Sequence, residues 1–206
     1  MKKILDYLLQ TYNPSSIIIY GSYADGTNNL NSDFDALVIS HDQGIQHDMS
    51  FVDDVQLDVF VYPESHFDTR YNCEDFIQIM DGKIILDENN RGKLLKENIL
   101  AYINSLPKKS KEEIFDNISW CEKMLLRTQR LDVEGMFRWH WVLVDSLEIF
   151  CNAVSHFYRG PKKALLWMEN NHPNEFCIYK KALSQMDYNS LKNWIDCLKR
   201  IMLSDN

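Results

Sequence analysis

Apolar positions along this 206-residue chain follow two regimes. Up to Leu106, short apolar runs and alternations with polar residues are mixed with helical stretches. Beyond Lys109 the apolar positions keep helical spacing throughout. Ile4, Leu5, Leu8, Leu9 and Tyr12 share helical spacing, which predicts an amphipathic opening helix over 2–12, ended by Asn13-Pro14. Residues 16–20 carry Ile17-Ile18-Ile19, a β-branched run suited to a strand covered on both faces. The same texture returns at 34–40 and at 55–62, where Pro63 stops it. Residues 76–88 read as an apolar segment, a turn at Asp81-Gly82 and a short strand at 83–86, and a helix is expected over about 91–105.

Leu106-Pro107-Lys108-Lys109 marks the change of regime. Ser110 and Glu113 have the spacing of a capping box, which opens a helix to about residue 130. A second long helix is expected over roughly 134–158, ending before Gly160-Pro161, with shorter ones near 162–170, 176–185 and 190–202. The predicted fold class is α+β: a small mixed sheet with helices over residues 1–106, then an all-α bundle over 107–206. The 134–158 helix is apolar around most of its circumference, through Phe137, Trp139, Leu143, Val144, Leu147, Phe150, Cys151, Val154 and Phe157. That is the pattern of a bundle's central member.

Charge and cysteine content narrow the partners. A net charge of −8 argues against nucleic acid, which selects a basic face. Five scattered cysteines without a CxxC pair suit reduced thiols better than a disulfide framework or a zinc site. Asp6 interrupts the opening apolar run, no cleavage signal follows, and no window approaches a membrane span, so a cytoplasmic protein is expected.

The candidate chemistry lies between residues 17 and 58. Asp33 and Asp35 alternate with Phe34, so on a strand their carboxylates share one face while the ring enters the core. Asp58, between Leu57 and Val59, projects alone from the next predicted strand. If those strands are neighbours, three carboxylates converge. Each pair at 4 Å then repels by roughly 1–4 kcal/mol, depending on effective dielectric, and a divalent cation relieves this. An oxygen-only ligand set suits Mg²⁺ or Mn²⁺ rather than zinc. Gly21-Ser22, at the end of the first strand, offers backbone N–H groups and a hydroxyl to phosphate oxygens. The remaining histidines (41, 47, 66, 140 and 172) form no metal spacing and read as structural or exposed.

A hydrophobic strand, Gly21-Ser22, ten intervening residues, Asp33-Phe34-Asp35 and a third carboxylate at Asp58 resemble the nucleotidyltransferase superfamily, the DNA polymerase beta-like enzymes. The resemblance covers residues 15–62 firmly. It implies a mixed sheet with helices packed on one side, Asp33 and Asp35 as metal ligands, and Gly21 and Ser22 on the triphosphate of ATP or another NTP. Asp58 would serve as metal ligand or general base. In-line attack on the α-phosphate would release pyrophosphate. Asp25 departs from the family, whose members often carry a basic residue there.

The helical half bears on the acceptor. A narrow polar stripe along 134–158 holds Arg138, Asp145, Glu148, Asn152, His156 and Arg159. It either lines a cleft, with Arg138 on phosphate and Asp145 or Glu148 on a cationic acceptor, or is a solvated face with internal ion pairs. The size and helical second half resemble the small antibiotic nucleotidyltransferases acting on aminoglycosides or lincosamides. The leading expectation is therefore transfer of AMP from ATP to a hydroxyl of a small molecule, by a chain that could form a homodimer. The alternative is a toxin–antitoxin type nucleotidyltransferase fused to a HEPN-like bundle that AMPylates or regulates a protein. A polymerase acting on RNA ends fits the acidic charge poorly.

Overall fold

The computed structural model describes residues 1–130 and 132–204. The chain forms two compact units, Met1–Leu106 and Pro107–Asn206, each with its own apolar core. In the first unit, α1 (Lys2–Tyr12) ends at Asn13, whose left-handed backbone (φ 43°) turns the chain into β1 (Pro14–Ile19). A one-turn helix, α2 (Gly21–Asp25), leads to β2 (Phe34–Ser40). Two short strands, β3 (Gln46–Asp48) and β4 (Phe51–Val52), precede the longest one, β5 (Val55–Pro63). A short helix α3 (Glu64–Phe67) and a 3-10 segment (Cys73–Asp81) lead to β6 (Lys83–Asp87) and α4 (Arg91–Ser105).

The sheet runs β3-β5-β2-β1-β6, with β4 attached to β5 alone. It is mixed: β2 and β5 are parallel, and the other pairs are antiparallel. Strand alternation divides its side chains. Ile17, Ile19, Phe34, Ala36, Val38, Leu57, Val59 and Val61 pack with Ile4, Leu8 and Tyr12 of α1. Ser16 and Ile18 turn to the other face, where they lie close under Gly92 of α4. Helices thus cover both faces of the sheet, not one, because β1 and β2 are apolar on both sides.

The edge arm formed by β3 and β4, each antiparallel to β5, goes unannounced in the sequence, because Gln46-His47-Asp48 has no apolar residue to mark a strand. It is fastened through Asp48 instead. One Asp48 oxygen accepts hydrogen bonds from Tyr12 (2.6 Å) and Tyr7 (3.1 Å), and the other accepts from the Ser50 backbone N–H (2.9 Å). Burial would raise this carboxyl, but the bonds from Tyr12 and Ser50 outweigh it and hold the carboxyl below its ordinary value. A lowered folded-state pKa gives stability that is complete above the ordinary value of 3.8 and is lost as pH falls through the depressed one. Asp48→Asn weakens these bonds, and because Asp48 is partly open to solvent, screening limits the expected cost to roughly 0.5–1 kcal/mol at pH 7. The gap from wild type should narrow toward pH 3, as read by urea denaturation at the two pH values.

The second unit holds α5 (Lys111–Thr128), α6 (Val133–Ala153), α7 (Pro161–Asn171), α8 (Pro173–Gln185) and α9 (Tyr188–Ser204). The expected capping box is present: Ser110 accepts from the Glu113 N–H while Glu113 accepts from the Ser110 N–H. Trp194 is fully buried and donates its indole N–H to Ser146 (2.8 Å), and Tyr179 donates to the Leu143 carbonyl (2.7 Å).

Two expectations about α6 are corrected. It stops at Ala153, five residues before the predicted end, in a double hydrogen-bonded cap. The Ser155 N–H donates to the Asn152 carbonyl and the His156 N–H to Cys151, with Ser155 at φ 56°. That place usually falls to glycine, so nothing in the sequence marked it, and His156 and Arg159 lie beyond the helix. Nor is α6 buried all round. It packs against α5, α7 and α9 through Trp139, Val142, Leu143, Leu147 and Phe150, while Phe137 (64% exposed) and Val144 (65%) face outward.

Candidate active site

The parallel pairing of β2 with β5 places Asp35 directly beside Asp58. Asp33 precedes the first residue of β2 instead of lying inside the strand, yet it joins the same group. One carboxylate oxygen from each of Asp33, Asp35 and Asp58 lies within 4.8 Å of the other two. Asp33 is exposed and the other two are half-buried. Oxygens on opposite sides of a Mg²⁺ ion stand about 4.2 Å apart, so the spread is close to what one hard cation needs. The donor set has no sulfur or nitrogen. These residues fit Mg²⁺ or Mn²⁺.

Phe34, between the two aspartates, is fully buried, so β2 cannot rotate to scatter them. Tyr20 supports the group from β1's end: its backbone N–H donates to the Asp35 carbonyl (3.1 Å). Burial, followed by the charges of Asp58 and Asp35, pushes the Tyr20 phenol well above its ordinary pKa and keeps it neutral.

The Gly21 turn lies hard against this cluster. Its backbone is left-handed (φ 65°), and a Cβ there would sit 2.0 Å from Asp35 Oδ2. Only glycine admits both the conformation and the approach. The Ser22 hydroxyl is buried and, among the described residues, has no hydrogen-bond partner. An unmade buried hydrogen bond of this kind costs about 1–3 kcal/mol, which an incoming acceptor would recover.

His47 belongs to no metal-ligand spacing, and the sequence alone marks it as structural or exposed. In the structure its Nε2 lies 2.5 Å from Asp58 Oδ1, and its ring stacks on Phe60 with centroids 4.1 Å apart and planes 4° from parallel. No signal in the sequence marks it, because both the strand Gln46–Asp48 and its pairing with β5 emerge only in the structure.

Arg138, Asp145 and Glu148 belong to the second unit. Arg138 is paired with Glu134 (2.5 Å) and touches the Met124 sulfur (3.1 Å). Glu148 faces Lys109 at 3.6 Å, and Asp145 is half-buried. The Glu134–Arg138 bridge is an i,i+4 pairing along α6.

A family model described as a nucleotidyltransferase domain matches residues 1–118, more than half of the chain. The chain belongs to that family, and it is a transferase of nucleotidyl groups with a nucleoside triphosphate as substrate. No curated protein matches it. Among solved structures, a nucleotidyltransferase-like protein from Exiguobacterium sibiricum 255-15 is similar at 13% identity and a TM-score of 0.38. That similarity covers 98% of this chain and 73% of the other. A toxin–antitoxin structure with AMP-PNP is similar at 19% identity and a TM-score of 0.33, over 50% of this chain and 86% of the other. No described helix is long and apolar enough to cross a membrane.

Proposed function

We propose that this chain transfers AMP from ATP to a hydroxyl group of a small, cationic, aminoglycoside-like molecule and releases pyrophosphate. The observation that carries the reading is the three-carboxylate cluster set against the Gly21-Ser22 turn. Asp33, Asp35 and Asp58 would hold Mg²⁺ or Mn²⁺, which when bound neutralises phosphate charge as a Lewis acid. Gly21 brings the backbone close to the triphosphate, and the Ser22 hydroxyl, which has no hydrogen-bond partner among the described residues, donates to it. Asp58 accepts the proton of the acceptor hydroxyl as that oxygen attacks the α-phosphorus. The P–O bond to pyrophosphate breaks on the opposite side.

On α6, Arg138 is assigned to the nucleotide, and Asp145 and Glu148 to the cationic acceptor. The Arg138 and Glu148 assignments compete with the ion pairs to Glu134 and Lys109, and an acidic chain favours a polycation. Incubation with ATP labelled at the α-phosphate and a panel of aminoglycosides, lincosamides and candidate proteins tests the acceptor. Label on an aminoglycoside is expected. Label only on protein would replace the small-molecule reading with protein AMPylation.

A further inference from the structure

We propose that His47 is the positioning residue of Asp58: the imidazole fixes the orientation of the third carboxylate from the edge of the sheet. This rests on the reading of Asp58 as metal ligand and base. Register alone puts the two on one face. His47 pairs with Phe60 across β3 and β5, and Phe60 is two residues from Asp58, so all three side chains leave the sheet on the same side. An ionised carboxylate only accepts, so Nε2 carries the proton and donates it to Asp58 Oδ1 over 2.5 Å. The flat stack on Phe60 removes the ring's own freedom to turn.

The strand that carries His47 is held from the opposite face. Asp48, the next residue, points the other way and is gripped by Tyr7 and Tyr12 of α1. Lys3 adds an ion pair to Asp53 in the turn between β4 and β5 (2.5 Å). Three short, polar residues with no apolar anchor thus form an ordered edge strand, braced by α1 on one side and by Phe60 on the other. With Oδ1 committed to the imidazole, Asp58 keeps the two lone pairs of its other oxygen, one for a cation and one for a proton, and the ring decides where that oxygen points. Partners behind a ligand that do this set its direction and its strength.

The test compares His47→Ala with His47→Gln, whose amide nitrogen can reach the place of Nε2. Mn²⁺ affinity of the nucleotide-free protein, read by electron paramagnetic resonance, should weaken about tenfold in His47→Ala and stay within about threefold of wild type in His47→Gln. The turnover number with ATP should fall roughly 10–100-fold in His47→Ala, with KM for ATP little changed, and His47→Gln should recover most of it. Wild-type Mn²⁺ affinity and turnover in His47→Ala would overturn the proposal, as would a His47→Gln as impaired as His47→Ala. Asp58→Asn run in parallel separates the two readings. If Asp58→Asn keeps full turnover, the assignment of Asp58 fails, and the role of His47 fails with it. If Asp58→Asn is inactive while His47→Ala is unaffected, only the role of His47 fails.

Discussion

Asp35→Asn is expected to abolish Mg²⁺-dependent ATP turnover, by about three orders of magnitude or roughly 4 kcal/mol of transition-state stabilisation, while the protein stays folded. Asp35 is the central member of the cluster: it lies beside Asp58 in register, two residues from Asp33, and against Gly21. Replacing it with a neutral isostere removes a ligand and a charge but almost no volume. Without divalent cation the variant should be at least as stable as wild type, because each carboxylate pair it relieves repels by roughly 1–4 kcal/mol at 4 Å. Mg²⁺ should raise the melting temperature of wild type and leave that of Asp35→Asn nearly unchanged. Asp33→Asn should behave likewise. Full pyrophosphate release by both variants would remove the aspartates from the metal site.

Gly21→Ala is the second large effect. The left-handed backbone at this position costs a non-glycine residue roughly 1–2 kcal/mol. The greater damage is steric, since the new methyl group would lie 2.0 Å from Asp35 Oδ2 and the carboxylate must move away. A displacement of that size at a reacting centre costs about a hundredfold in turnover. Gly26→Ala provides the control. Its backbone is also left-handed (φ 74°), but nothing lies within 4 Å of an added Cβ. It should lose comparable stability in urea and keep its activity. Equal activity losses in the two variants would show that backbone strain, not the carboxylate, decides the outcome at Gly21.

The site was legible where chemistry coincides with strand periodicity. Asp33-Phe34-Asp35 declares its shared face through alternation, and the buried Phe34 confirms the direction. Asp58 needed one fact that a sequence does not carry, the parallel adjacency of β2 and β5. His47 needed two: that Gln46–Asp48 is a strand at all, and that it pairs with β5 two residues beyond Asp58. Its strand is held by tyrosine–carboxylate bonds across 36 and 41 residues, which hydropathy cannot register. Within the helical unit, α6 alone departs from its expected extent and burial, for a different reason. Apolarity around α6 suggested complete burial, but packing reaches one side only, and Ser155 performs a turn that the residue type does not advertise.

The most direct test of nucleotidyl transfer is phosphorus NMR of the products formed from ATP, Mg²⁺ and the acceptor found in the labelling screen. Attack at the α-phosphorus yields a phosphodiester on the acceptor and free pyrophosphate, and both resonances are expected. A phosphomonoester on the acceptor together with ADP would place attack at the γ-phosphorus and contradict the account.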